Sequence, residues 1–87
     1  MSYRIEIKLS AIKALAVIPN PHRRRIAKVI DGLAQQPRPV GCTKLIGAET
    51  AYRIRVGDYR IIYQIEDRIL IVFIIRIAHR KDVYRGL

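Results

Sequence analysis

The segment that most constrains this chain is AYRIRVGDYRIIYQI, Ala51 to Ile65, in which β-forming residues alternate on either side of the dipeptide Gly57-Asp58. A glycine-containing dipeptide between two alternating runs is a strong hairpin signal, and glycine in first place suits a type II′ turn. Loop length sets hairpin register, so Val56 is expected opposite Tyr59, Arg55 opposite Arg60, Ile54 opposite Ile61 and Arg53 opposite Ile62. Arg53, Arg55 and Arg60 then share one face of the hairpin, and Tyr52, Ile54, Val56, Tyr59, Ile61 and Tyr63 share the other. The second face is apolar enough to pack a sheet onto helices. Arg55 opposite Arg60 is a like-charge pair, unfavourable by about 0.2–1 kcal/mol. Such a face is expected to meet an anion, the alternative being that its long side chains splay into water.

Charge points the same way. Seventeen Lys and Arg stand against seven acidic residues, a formal net charge of +10 on 87 residues. That excess on one small domain, read as residues 1–87, implies a polyanionic partner, with nucleic acid ahead of a membrane surface. No basic amphipathic segment carries bulky aromatic anchors, and Trp is absent, so membrane binding is not expected. The longest apolar run, Ile69 to Ile75, has seven residues, far short of the about twenty needed to span a bilayer. The first residues do not resemble an export signal, and the lone Cys42 fits a reducing cytoplasm.

The remaining elements follow from periodicity. Tyr3 to Lys8 alternate as a half-buried strand. Ser10 can cap a short helix carrying Ile12, Leu15, Ala16 and Ile18, ended by Pro19. Asn20-Pro21 reads as a cap with a first-turn proline, opening a second helix that runs to about Gln36 with Ile26, Val29, Ile30 and Leu33 as its apolar stripe. Pro37, Pro39, Gly41 and Gly47 mark a connecting loop carrying Lys44. Beyond the hairpin, Glu66, Asp67 and Arg68 turn the chain into a central strand, Ile69 to Ile77, interrupted only by Arg76. The expected fold is α+β, β-α-α-β-β-β, with two helices packed on a mainly antiparallel four-stranded sheet.

The C-terminal residues Ala78 to Arg85 add His79, Arg80, Lys81, Tyr84 and Arg85 next to the central strand. A phosphodiester attacked by its own 2′-hydroxyl gathers negative charge on its phosphoryl oxygens, which preplaced guanidinium groups stabilise. Arginine is a poor general base because it holds its proton, which leaves Tyr84 and His79 as titratable candidates. Tyr84 either stacks on or orients a base of a single strand, or covers the sheet edge. Arg23, Arg24, Arg25 and Lys28 on the second helix form a basic patch, read either as phosphate contacts or as a solvated face. No cysteine, histidine or carboxylate grouping has metal-ligand spacing, and phosphate loops and nucleophile elbows are absent; no cofactor is expected.

The order of elements, the hairpin YRIRVGDYRIIYQI with Lys44, Leu45 and Gly47 upstream, and the ending IAHRKDVYR resemble the RelE branch of the RelE/ParE toxin superfamily over essentially the whole chain. The resemblance implies a type II toxin that enters the ribosomal decoding site and cuts mRNA without a metal, held in check by an acidic cognate antitoxin. It places the family's cationic strand positions on Arg53 and Arg55, its hairpin arginine on Arg60, its C-terminal arginine on Arg80 and its tyrosine on Tyr84. Arg23, Arg24, Arg25, Lys28, Lys44, His79, Lys81 and Arg85 complete the expected RNA-binding surface. Some RelE toxins carry lysine where this chain has Arg53 and Arg55, so a proton-accepting role for those two is not expected here. Two other outcomes stay open: a ParE-like gyrase poison, and a nucleic-acid-binding module that cleaves nothing.

Overall fold

The structure is a computed structural model and describes residues 2–82. Its elements run β1 (Arg4–Ile7), α1 (Leu9–Ala16), α2 (His22–Gly32), β2 (Cys42–Lys44), β3 (Ala51–Val56), β4 (Tyr59–Glu66) and β5 (Ile71–His79). The strands form one five-stranded sheet in the order β1-β5-β4-β3-β2. β1 runs parallel to β5, and every other pairing is antiparallel. The α+β class and the two helices are as expected, but the sheet has five strands and not four.

The additional strand, β2, lies in the segment expected to be loop. It pairs Cys42, Thr43 and Lys44 with Ile54, Arg53 and Tyr52. Three residues are too few to display alternation, and the prolines and glycines around them advertise a loop; the partner strand supplies the hydrogen bonds that define this one. The expected central strand also starts later, because the β4–β5 turn takes in Leu70 at φ 54°, and ends later, because Ala78 and His79 pair with Arg60 and Tyr59.

Both helices start elsewhere than their capping signals indicate. α1 is entered through Lys8 with no side-chain cap, and α2 through Pro21, again with none. The buried residues of α1 also differ from the expected stripe: Ala11 is buried and Leu15 packs against the core, Ile12 and Ala16 are exposed, and Ile18 is buried just beyond the helix. α2 ends at Gly32, with turns following where helix was expected. Its stripe matches the expectation, Ile26, Ile30 and Leu33 being buried and Val29 partly so. These residues meet the apolar face of the hairpin, Ile54, Val56, Ile61 and Tyr63, together with Val72, Ile74 and Ile77 of β5. Helices therefore cover one face of the sheet, and the arginine face is left open.

One polar cluster ties the chain segments at the far end of the sheet. Arg38 donates two hydrogen bonds to Asp67, from Nη1 to Oδ1 at 3.2 Å and from Nη2 to Oδ2 at 2.8 Å, while its Nε donates to the Tyr52 hydroxyl at 3.1 Å. The guanidinium also lies 5.2 Å from the Tyr52 ring centroid, within cation–π range. The Tyr3 hydroxyl donates to Asp67 Oδ1 at 2.6 Å. The hydrogen bonds from Arg38, and then Tyr3, hold the Asp67 carboxyl down at about 2. A carboxyl lowered on folding stabilises above its unfolded value, about 3.9, and loses that contribution as pH falls toward the folded value. Asp67→Asn is therefore expected to lower the urea midpoint at pH 6–7 by a small margin that closes between about pH 4 and pH 2. A gap that stays constant to pH 2 counts against ionic pairing as its source.

Candidate nucleic-acid interface

The hairpin sets the geometry of the open face. Its register is the expected one: Arg53↔Ile62, Ile54↔Ile61, Arg55↔Arg60 and Val56↔Tyr59. Gly57 has φ 59°, while Asp58 is not among the residues with positive φ, the pattern of a turn with glycine at its first central position. Arg53, Arg55 and Arg60 thus stand on one face. The Arg55/Arg60 pair is partly accommodated by the turn itself: the Gly57 carbonyl accepts from Arg55 Nε at 3.3 Å and from Arg60 Nη1 at 3.1 Å. Arg60 Nη1 also donates to the Tyr59 carbonyl at 3.0 Å. Two guanidinium groups are thereby gathered beside one turn, their charge uncompensated by any carboxylate in these bonds.

Arg80 joins this site through the backbone. Its N–H donates to the Asp58 carbonyl at 2.7 Å, extending the β4–β5 ladder to the hairpin turn. Its side chain lies 4.0 Å from Asp58 Oδ1 with both groups more than half exposed, an interaction worth little in water. Arg80 is thus placed at the turn without being locked there. Arg25 reaches the same turn from α2: a Cβ added at Gly57 would lie 3.6 Å from Arg25 Nη1.

Other expected residues are dispersed. His79 pairs with Tyr59, which puts it on the helix side, where its ring meets Tyr59 edge-on at 5.8 Å; His22 meets Tyr59 at 5.6 Å. Lys44 pairs with Tyr52, so strand alternation also directs it away from the arginine face, although it lines, with Arg53, a concavity of about 480 Å³ at the β2 end. Arg23 donates to the Ala16 carbonyl at 3.3 Å, bridging the two helices. Arg24 and Lys28 are exposed on α2, and Lys81 is exposed just after β5. Tyr84 and Arg85 lie outside the described residues. No grouping of three or more His, Cys, Asp or Glu residues able to hold a metal occurs among the described residues.

Sequence reasoning passed over Arg76, which it treated as an interruption in an apolar strand. β4 and β5 pair Ile62 with Arg76 and Arg60 with Ala78, so Arg76 stands on the open face in a row with Ile62 and Arg53. Its two-residue spacing from Ala78 gave a face only if the β4–β5 register were known. That register shifts between Ile62 and Tyr63, and a shift of this kind leaves no reliable mark in sequence.

Two helices lie on one side of a mixed five-stranded sheet, and arginines gather on the other. The profile of the family described as the ParE toxin of type II toxin-antitoxin systems, parDE, matches residues 5–84, and the chain belongs to that family. Within it the relatives are RelE-type toxins, and so is this chain. The toxin RelG of Mycobacterium tuberculosis is 33% identical over 91 residues, covering 98% of this chain and 99% of its own. The mRNA interferase toxin RelE of Escherichia coli K12 is 27% identical over 88 residues, covering 97% and 92%. The toxin fold in the crystal structure of the archaeal RelE-RelB complex from Pyrococcus horikoshii OT3 matches at a TM-score of 0.83 and 34% identity, over 92% of this chain and 97% of that one.

Proposed function

We propose that this RelE-type toxin is an endoribonuclease that cuts mRNA in the ribosomal decoding site and thereby stops translation. The observation carrying the proposal is the convergence of Arg53, Arg55 and Arg60 on one open face with Arg80 at the same hairpin turn. The substrate's 2′-hydroxyl gives up its proton to solvent as its oxygen attacks the adjacent phosphorus, a 2′,3′-cyclic phosphate forms, and the bond to the 5′-oxygen breaks, that oxygen taking up a proton in turn. Arg53, Arg55 and Arg60 are assigned to holding the phosphoryl oxygens as charge builds on them, and Arg80 to donating to the departing oxygen. The positive charge that a metal would bring is supplied by guanidinium groups. Tyr84 is assigned to orienting the RNA, and the basic residues of α2 and the chain end to phosphates further along. The E. coli relative's description as an mRNA interferase supports this chemistry.

The natural antagonist in this reading is an acidic antitoxin encoded beside the toxin. A chain with net charge +10 favours an acidic, partly disordered partner that folds as it wraps the cationic surface, and the Pyrococcus relative is seen bound to RelB. Brief induction followed by mapping of 5′ ends on ribosome-bound messages tests the reading: new ends inside open reading frames are expected. The profile match to the ParE toxin favours gyrase poisoning as the second reading. Intact messages with a DNA-damage response would establish that alternative and overturn the first.

A further inference from the structure

The open face carries a further arginine, Arg76, that the cleavage scheme does not use. Arg76 is diagonal to Arg60, through the pairs Arg60↔Ala78 and Ile62↔Arg76, a relation that puts Cα atoms about 7–8 Å apart. It is separated from Arg53 by one strand and by Ile62, which is buried at 2% exposure. Arg76 Nη2 donates to the Asp82 carbonyl at 3.1 Å, while its Nε is buried and has no hydrogen-bond partner. A buried N–H left unpaired is costly, the more so when charged, and native structures leave few of them. Arg76 and its neighbours Ile75, Ile77 and Ala78 also line a cavity of about 350 Å³ with Lys8, Ser10 and Ala14. Two cations and a hydroxyl line that cavity, and no acidic residue does.

We infer that Arg76, with Lys8 across the cavity, binds the RNA phosphate next to the scissile one, on the β5 side of the Arg53, Arg55 and Arg60 cluster. This rests on the proposed RNA-cleaving function. Arg76 is partly exposed and holds its charge on the open face, where an incoming phosphodiester meets the outer part of the guanidinium, and Ala78, the smallest side chain in the row with Arg60, leaves the path between the two phosphate positions clear. Arg76 is accordingly a positioning residue: it sets where the strand lies and takes no part in the bond changes.

The test is binding of a short single-stranded RNA oligonucleotide to antitoxin-free toxin across a salt series. One lost phosphate contact reduces the slope of log K against log salt by about 0.7 on a single strand. Arg76→Gln is expected to give that reduction, and Arg76→Lys to keep most of the slope, both with wild-type unfolding midpoints. Arg60→Gln, measured in parallel, reports on the face as a whole. A lowered slope in Arg60→Gln beside an unchanged slope in Arg76→Gln overturns the Arg76 site alone. Unchanged slopes in both show that RNA does not use this face, and the proposed function fails with the inference. If both Arg76 variants unfold at lower denaturant, Arg76 is a structural clamp on the Asp82 carbonyl and the inference is overturned.

Discussion

Arg60→Ala and Arg80→Ala are each expected to abolish growth arrest on induction while leaving the protein folded. Removing one preorganised donor to a developing oxyanion lowers turnover by about 10²–10³-fold, enough to bring a toxin below the level at which it halts growth. The fold survives both changes for identifiable reasons. The side-chain hydrogen bonds of Arg60 end on the Gly57 and Tyr59 carbonyls at the hairpin turn, where water can replace them. The Arg80 contact that holds the sheet is made by its backbone N–H, which alanine retains. Arg60→Lys should recover only part of the activity, because an ammonium carries the charge but not the planar fork that grips two phosphoryl oxygens. Colony counts after induction, with circular dichroism on the purified variants, check this. Full toxicity in either alanine variant would remove that arginine from the cleavage scheme.

Tyr63→Ala is expected to have the largest effect on stability, a loss of about 3–5 kcal/mol in the range seen for buried aromatics cut to alanine. Tyr63 is fully buried and is the largest such side chain in the core. It lies near-parallel to Tyr52 with ring centroids 6.0 Å apart, and its hydroxyl donates to the Pro37 carbonyl at 2.8 Å. Burial pushes the Tyr63 phenol well above its ordinary value, so it remains a donor at any pH the protein meets. Small domains hold about 5–15 kcal/mol in total, and a loss of this size leaves much of the protein unfolded. Tyr63→Phe separates the two contributions: it keeps the packing and strands the Pro37 carbonyl, at about 1–3 kcal/mol. Urea unfolding of the three proteins reads both numbers, and equal midpoints for Tyr63→Phe and wild type would show that the hydroxyl contributes nothing.

The hairpin was fully legible because its signals are local. Two turn residues set the register, and alternation over a few residues on either side assigns every side chain to a face. The α2 stripe was legible for the same reason, since Ile26, Ile30 and Leu33 repeat within one element. Capping was less so: Ser10 and Asn20 are plausible caps by residue type, yet the chain enters α1 at Lys8 and α2 at Pro21, because packing on the sheet chooses the start and side-chain preference is a smaller term. Strand β2 was hidden because three residues acquire strand character only from a partner.

The candidate site divides along the same line. Sequence alone determined a basic chain, a hairpin with Arg53, Arg55 and Arg60 on one face, and cations beside the last strand, all of which follow from composition and short-range periodicity. Tertiary structure decided which of the remaining cations belong with that face. It brought Arg80 to the hairpin turn and Arg76 into the row of Arg53, and it sent His79 and Lys44 toward the helix side. Those assignments depend on pairing between strands separated by a turn of uncertain length and on a register shift near Tyr63. In a sheet a shift of one residue carries a side chain to the opposite face, so only the assembled strands could say which arginines share the open one.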